Sequence, residues 1–332
     1  MIVFRPFRNT DPPGLVEIWR NQPPLRRRAQ GINTQSLERY VFSKPYFDRE
    51  GLVVAEEDHR LLGFGHAGFT ASRDGATLSH HTGVVGALLL APDVTEDRRA
   101  ELHAELLRRV ESYLVERGAK EILAMGVAVA CPFYLGLYGG GALPGVLDKD
   151  PALPMFEAAG YQRTGGTSIL QRSLVGFRPV IDRVLMQIRR SYHIEASLDP
   201  PASNWWEACT TAFMDQTEFR LESRDDRSFG GRVVLGEMEA MSHSWGVRAG
   251  AIQHIEPAGQ DDDPQLLLFL LGEAMRQMQG QGVSMVEAQL ATLDPCAPEP
   301  GVNTLLANLF SRLGFQPVER GITLCKTVAT GT

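Results

Sequence analysis

The chain has 332 residues, which favours two domains of ordinary size over one. Apolar residues make up 43% of it and charged residues 22%, a balance that is typical of globular proteins and argues against a disordered or fibrous chain. The formal net charge of −7 argues against a general binder of nucleic acid or acidic membranes, and we expect the densest basic run, Arg26-Arg27-Arg28, to be solvated.

Cysteine spacing and the N-terminal segment bear on metal binding and on the cellular compartment. The cysteines are scattered and form no Cys-x-x-Cys pair, so the sequence predicts neither a disulfide framework nor a metal site. The segment MIVFRPFRNTD lacks the apolar core of a signal peptide, and no apolar run reaches the length of a membrane span. We therefore expect a cytoplasmic protein with reduced thiols at Cys131, Cys209, Cys296 and Cys325.

The first half of the chain alternates between predicted strands and helices. An opening strand, MIVFRPF, precedes helices and a hairpin, GLVVAEED-HRLLGFGHAGF, that turns at Asp58-His59. The strand GVVGALLLAP ends at Pro92, and TEDRRAELHAELL then opens a long amphipathic helix that stops at Gly118. A short apolar strand and the short helix MFEAAG lead to a last strand.

The second half repeats this order of elements. RVVLGEMEAM and WGVRAGAIQHIE predict a hairpin that ends at Pro257, and MRQMQGQGVSMVEAQ predicts a helix, a glycine stop and a strand. LFSRLGFQPVERG repeats MFEAAGYQRTGG, with Gly314 in the place of Gly160. Extra residues in the first half, PFYLGLYGGGALPGVL (132–147), form a loop of the length that is often functional.

The junction between the two repeats lies between Arg172 and Pro201, where we expect a strand, a connecting helix and the first strand of the second unit. We place the domain boundary at residue 175, so that residues 1–175 and 176–332 form the two domains. The predicted fold class is α/β, with a mixed sheet and helices in each domain.

This order of elements resembles the GNAT superfamily of acyl-CoA-dependent N-acetyltransferases, present here as two tandem copies. The best local matches are VERGAKEILAM, MFEAAGYQRTG, MQGQGVSMVEAQ and LFSRLGFQPVERG. The resemblance implies that the strand before each long helix splays from its neighbour. It also implies that the pantetheine arm of acetyl-CoA, or of another acyl-CoA, lies in this gap, with its pyrophosphate at the helix N-terminus.

The family's pyrophosphate loop, R/Q-x-x-G-x-G/A, is degenerate in both halves. Both glycines are replaced in the first half, where Thr95 or Asp93 can cap the helix and where Glu96 and Asp97 face its positive dipole end. In the second half we expect Asp263 as the N-cap and Pro264 as the first helical residue. The aligned loop positions are Arg98, Glu101 and His103 in the first half and Asp262, Gln265 and Leu267 in the second.

Only the first half keeps cations at this loop, which makes it the expected cofactor site. Their side chains can bind phosphate in place of backbone N–H groups. The expected cofactor-binding residues are Leu89, Leu90, Ala91, Arg98, Arg99, His103, Ile255 and Asn303.

Acetyl transfer to an amine needs a base for the amine and an acid for the leaving thiolate. The family often takes the acid from a tyrosine on the short helix, but Phe156 and Phe310 stand at those positions here. The expected base is Glu256, which shares a strand face with His254. Tyr138 is a candidate acid in the 132–147 loop, as is Tyr134, and that loop either forms a lip at the first cleft or packs between the units. His81, next to His80, is a further acid–base candidate.

Two functions fit these observations. The first is acylation of an amine on a small molecule or peptide, by a monomer or homodimer that binds neither nucleic acid nor membranes. The second is a catalytically inactive binding or assembly module that has lost the pyrophosphate cradle, since a fold does not imply a function.

Overall fold

The computed structural model describes residues 1–128, 130–259, 264–293 and 301–328. Beside the elements named below, a π-helical turn spans Glu38–Phe42 and a 3₁₀ turn spans Arg49–Gly51. The helices are α1 (Pro12–Arg20), α2 (Thr34–Leu37), α3 (Glu96–Glu116), α4 (Leu153–Ala158), α5 (Arg183–Ser191), α6 (Trp205–Thr210), α7 (Glu239–Trp245), α8 (Pro264–Gly280) and α9 (Gly301–Arg312). The strands are β1 (Val3–Pro6), β2 (Leu52–Glu57), β3 (Arg60–Ala71), β4 (Leu78–Leu90), β5 (Glu121–Ala124), β6 (Val127–Ala128), β7 (Leu143–Pro144), β8 (Val146–Leu147), β9 (Gln162–Ser173), β10 (Tyr192–Leu198), β11 (Gln216–Ser223), β12 (Phe229–Glu237), β13 (Ala249–Pro257), β14 (Met285–Leu293) and β15 (Gln316–Thr327).

A single mixed sheet runs through both halves of the chain. Over the described ranges its strand order is β1-β2-β3-β4-β5-β15-β9-β14-β13-β12-β11-β10, with β8 attached to β15, while β6 and β7 pair separately. Neighbouring strands are antiparallel except for β4 with β5 and β13 with β14, which are parallel. Each parallel pair is joined through a long helix, α3 or α8, because parallel strands need a crossover connection. The predicted fold class is therefore confirmed.

The last strand of each half closes the sheet of the other half. β15 belongs to the second repeat, yet it pairs with β5 of the first, from Thr327 opposite Glu121 to Cys325 opposite Leu123. β9 of the first repeat pairs along its length with β14 of the second, and β9 and β15 also pair with each other. The predicted boundary at residue 175 lies in the connection between β9 and α5, but neither side of it holds a complete sheet.

Helices α3 and α8 bury apolar faces against the two ends of this sheet. The buried residues of α3 recur every three or four positions, which is the spacing of one helix face. The same core also contains Met238 and Ala251 of the second repeat, so apolar packing continues across the junction. A second core surrounds α8 and includes Phe310 of α9. The buried face of α3 contains Leu102, Leu106, Leu107, Val110, Tyr113 and Leu114.

Three expectations from composition can be compared with the described residues. Cys131 and Cys209 are free thiols, and Cys296 lies outside the described residues. Over the described ranges, none of the helices combines the length and apolar character needed to cross a membrane. Among the same residues, no group of three His, Cys, Asp or Glu side chains is placed to hold a metal ion.

Candidate functional site

Each parallel strand pair opens at a β-bulge. β4 pairs with β5 only from Thr82 to Val85 and then runs on to Leu90, while β13 pairs with β14 only from Ala249 to Ala251 and runs on to Pro257. The register against the preceding strand shifts at Gly86 in β4 and at Gln253 in β13. We call the gap beyond Val85 the first cleft and the gap beyond Ala251 the second cleft. Bulges are frequent next to active sites because they redirect side chains and end strand pairing.

The first cleft is filled by the extra residues 132–147, which we call the insert. Phe133 and Tyr134 are almost completely buried, and the hydroxyl of Tyr134 lies 2.9 Å from Nδ1 of His66 on β3. A Cβ atom placed on Gly86, at the bulge, would lie 3.2 Å from the Tyr134 ring. The aromatic rings therefore occupy the space in front of the bulge.

The end of β4 is also engaged by protein groups. The carbonyl oxygen of Leu90 accepts a hydrogen bond from Nε2 of Gln22 at 2.6 Å, and the N–H of Ala91 donates to Leu62 at 2.8 Å. The side chains of Leu89, Leu90 and Ala91 are buried. These predicted cofactor-binding residues lie in the core at the first cleft, with strand-edge groups already hydrogen-bonded.

The cations at the start of α3 are likewise engaged by neighbouring protein groups. Arg98 donates to Glu57 at 2.9 Å, and Arg99 donates to the carbonyl oxygens of Ala91 at 3.3 Å and Val94 at 3.1 Å. Burial, together with nearby Arg99, lowers the pKa of His103 to about 4, so His103 is neutral at pH 7. All three residues lie on the first turns of α3, but Arg98 is paired with Glu57 of β2, Arg99 is bonded to loop carbonyl oxygens, and His103 carries no charge at pH 7.

The predicted side-chain cap of α3 is absent. Thr95 occupies the N-cap position, yet its side chain accepts no capping hydrogen bond and bonds to Asp97 instead. Asp93 forms an ion pair with Arg60 on β3. The carboxylates Glu96 and Asp97 do lie in the first turn, as expected, where they favour the dipole and oppose an incoming anion.

Tyr138 is buried, which corrects the expectation of an aromatic lip. Its ring centroid lies 5.0 Å from that of Trp19 and 5.9 Å from that of Tyr134, and its hydroxyl faces Arg28. Burial raises its pKa well above the ordinary value for tyrosine, which opposes formation of a phenolate. The insert instead packs between the units, the alternative that the sequence left open.

The structure separates His81 from the other candidates. His81 is 67% exposed and lies 3.9 Å from Glu121, at the end of β4 that is remote from the start of α3. It therefore lies near neither Tyr138 nor the point where the first cleft opens.

The second cleft carries the predicted strand pair of His254 and Glu256. Nε2 of His254 lies 3.7 Å from Oε2 of Glu256, and Nη1 of Arg232 lies 3.6 Å from the same oxygen. Both side chains of the predicted pair are about half exposed, on the strand face opposite Ile255, which packs against the α8 core. The shared face that the sequence predicted is confirmed, and water or a substrate can reach this pair.

The start of α8 differs from that of α3. α8 begins at Pro264, as predicted, and has no acidic residue in its first turn. Nη1 of Arg312 on α9 lies 3.1 Å from Oε1 of Gln265, which brings a guanidinium close to the helix N-terminus. The predicted N-cap Asp263, its neighbour Asp262 and the side chain of Asn303 lie outside the described residues.

A buried polar group at the point where the second cleft opens was not predicted. Glu287 on β14 is 1% exposed, and its Oε2 lies 2.5 Å from Nη1 of Arg27 and accepts a hydrogen bond from Gln171 at 3.1 Å. Arg27 and Arg28 are buried, so the expectation that this basic run is solvated was wrong. The available signal was the alternation in MVEAQL, which places Glu287 and Gln289 on one face of a strand with apolar residues between them.

The glycine tip of the insert lies against the second cleft. Nε2 of Gln253 donates to the carbonyl oxygen of Gly140 at 3.3 Å, and Nε2 of Gln289 donates to that of Ala142 at 2.7 Å. A side chain on Gly141 would place its Cβ atom 2.5 Å from the carbonyl oxygen of Ile252. Glycine is required here because the two backbones approach closely.

Replacement of this glycine tests the close approach. We expect Gly141→Ala to lower the free energy of unfolding by about 1–3 kcal/mol, because the β13 backbone must move to admit the methyl group. Gly31→Ala is the matched control, since a Cβ atom there meets nothing within 4 Å, and its effect should stay within about 0.5 kcal/mol. Urea unfolding of both variants measures the difference, and equal stabilities would contradict the contact.

Comparison with known proteins shows the fold. No family model and no curated sequence matches the chain. Solved structures do: a tandem GNAT protein from the clavulanic acid biosynthesis pathway has 14% identity and a TM-score of 0.61 over 100% of both chains. A GCN5-related N-acetyltransferase from Sphaerobacter thermophilus has 12% identity and a TM-score of 0.60 over 100% of this chain and 97% of that one. A putative acetyltransferase from Pyrococcus horikoshii has 12% identity and a TM-score of 0.52, with coverage of 99% and 90%.

Proposed function

We propose, from the premise that this chain has a tandem GNAT fold, that it transfers an acyl group from acetyl-CoA or another acyl-CoA to an amine and that the second cleft is the site. One observation carries the choice of cleft: aromatic side chains fill the first cleft, whereas the strand end at the second carries the accessible pair His254 and Glu256. The acceptor is an amine of a small molecule or peptide.

The start of α8 suits the pyrophosphate better than the start of α3 does. A helix N-terminus attracts an anion through its dipole and its exposed N–H groups. α3 has two carboxylates in its first turn, and α8 has none there, although Asp261, Asp262 and Asp263 directly precede α8 in the sequence. Arg312 adds a positive charge beside Gln265, and its Nη2 lies 3.8 Å from a carboxylate oxygen of Asp182, a looser contact than the 2.9 Å hydrogen bond from Arg98 to Glu57. Within this proposal the pantetheine arm runs along β13 near Ile255.

Acyl transfer at this cleft needs a group that accepts the proton of the acceptor amine. We assign this role to Glu256, with His254 and Arg232 as neighbours that hold its carboxylate in place. The amine nitrogen forms a bond to the thioester carbonyl carbon, the carbon–sulfur bond breaks, and the CoA thiolate leaves. Tyr138 takes no part in this scheme because it is buried within the first half.

In this proposal the first half serves as a scaffold. The filled first cleft also supports the competing function, a non-catalytic binding module. The first cleft is filled, and Phe156 and Phe310 stand where the family often has an acid. Both features are compatible with a binding module that has no catalytic activity. Binding of acyl-CoA distinguishes the two functions, because the enzyme requires it.

Calorimetric titration of the full chain with acetyl-CoA tests the proposal. We expect micromolar binding at one site, weakened about tenfold in Arg312→Glu because the reversed charge opposes the pyrophosphate. Arg98→Glu is the matched control, since Arg98 and Arg312 are 39% and 40% exposed and lie beside the starts of the equivalent helices α3 and α8. With an amine that is turned over, Glu256→Gln should lower kcat/KM about 100-fold.

Three outcomes would count against this assignment. Weaker binding in Arg98→Glu, with Arg312→Glu unchanged, would move the site to the first cleft. An unchanged kcat/KM in Glu256→Gln would remove its assigned role. No binding at millimolar acetyl-CoA would favour the non-catalytic module.

A further inference from the structure

A small, partly open cavity lies beneath the insert. It is about 10 Å³ in volume for the centre of a water-sized sphere, which is the size of a site for one water molecule or one atomic ion. Polar and charged side chains supply much of its wall. The lining residues are Leu25, Arg27, Arg28, Met125, Tyr138, Pro144, Gly145, Leu147 and Asp150.

Several hydrogen-bond donors of this wall lack an acceptor. Nε and Nη2 of Arg27 and Nε of Arg28 are buried and have no hydrogen-bond partner among the described residues. Arg27, Arg28 and Tyr138 are 1%, 5% and 8% exposed, so bulk water does not solvate them. A buried guanidinium N–H without an acceptor is costly, and such groups point to a bound species that the chain itself does not supply.

The charges of the wall favour an anion over a neutral molecule. Arg27 already faces Glu287, but Arg28 has only Asp150 nearby among carboxylates of the wall. One oxygen of Asp150 accepts the N–H of Ala152 at 2.8 Å, and burial raises the pKa of this carboxyl group, which disfavours its charged form. Glu319, outside the wall, is a further carboxyl group near Arg27, and burial raises its pKa as well. Burial therefore disfavours the opposing charge at both Asp150 and Glu319, while the two guanidinium groups stay charged.

We propose that this cavity is a binding site for a monovalent atomic anion, chloride in the cell, held by Arg27, Arg28 and the hydroxyl of Tyr138. An anion accepts hydrogen bonds from all three side chains at once, whereas a water molecule has only two lone pairs for them and brings no charge. The three ligands come from the loop after α1 and from the insert, so the bound anion ties the insert to the first half.

Thermal unfolding of the full chain tests this site without any variant. At constant ionic strength, replacement of sodium gluconate by sodium chloride at about 0.2 M should raise Tm by about 2–4 °C, and the effect should saturate with chloride concentration. Bromide should act in the same way, and a crystal grown in bromide should show one anomalous peak in the cavity. Equal Tm values in gluconate and chloride, or a cavity that holds only a water molecule, would overturn the proposal.

A pair of tyrosine variants locates the effect. Tyr138→Phe keeps the ring and removes one anion ligand, so the chloride-dependent rise in Tm should fall by at least half. Tyr161→Phe is the matched control, because Tyr161 is also a buried tyrosine but does not line the cavity; it should keep the full chloride effect. A full chloride effect in Tyr138→Phe, or an equal loss in both variants, would refute the site.

Discussion

Residues 1–175 are expected not to fold when they are expressed alone, although they contain one complete copy of the sequence repeat. In the full chain, β5 and β9 both pair with β15, and β9 also pairs with β14. A fragment without the second half therefore leaves β9 without these partners and leaves β5 paired only with β4. Leu324 of β15, which is fully buried in the first core, is lost as well. Unpaired apolar strands also promote aggregation. Circular dichroism should show no cooperative unfolding of the fragment, against a cooperative transition in the full chain.

A divided chain provides the control for this experiment. Residues 1–175 and 176–332 produced together keep every exchanged strand and break only an exposed connection at Val175. The two fragments should copurify in equal amounts and unfold together. A cooperative thermal transition of residues 1–175 on their own would show that the exchange is dispensable.

Substitution of either partner in the buried ion pair between Arg27 and Glu287 is expected to destabilise the protein far more than loss of an exposed ion pair. Each side chain is 1% exposed, so loss of one partner leaves the other charge buried without its counterion. We expect Arg27→Met and Glu287→Gln each to lower the free energy of unfolding by about 3–5 kcal/mol. The double variant should lower the free energy of unfolding by less than the sum of the two single effects, because it removes both charges together. Urea unfolding of the four proteins measures this.

An exposed ion pair between the same two halves provides the comparison. Nη1 of Arg39 lies 3.3 Å from Oε2 of Glu239, with side chains that are 39% and 58% exposed. Arg39→Met should change the free energy of unfolding by only about 0–1 kcal/mol, since water and salt screen such pairs. If Arg27→Met and Arg39→Met lowered the free energy of unfolding by similar amounts, burial of the pair between Arg27 and Glu287 would have no energetic consequence.

The candidate site shows where sequence reasoning succeeds and where it stops. The face shared by His254 and Glu256 follows from the two-residue period of a strand, and the start of α8 follows from Pro264. Both are local properties. The burial of Arg27 was missed because a run of three arginines is usually solvated, and only a distant residue, Glu287, makes its burial tolerable.

The insert illustrates the same limit. Its three consecutive glycines were visible, and two roles were open: a flexible lip or a packed segment between the units. Only the approach of Gly141 to the carbonyl oxygen of Ile252, and of Tyr134 to His66, decides for packing. These contacts join residues that are far apart in the chain, so no local pattern of side chains records them.

The amino-acid sequence by itself determined the types of the elements, their order and their repetition. The period of the apolar residues, and the glycines and prolines that end helices and strands, act on the backbone within a few residues. The tertiary structure alone decided which strands are neighbours. A strand offers the same backbone groups to any partner, so β9 and β15 could have closed their own halves, and their exchange depends on packing across the junction. The same long-range packing fills the first cleft with aromatic side chains and brings the glycine tip of the insert against the second, where His254 and Glu256 stay accessible.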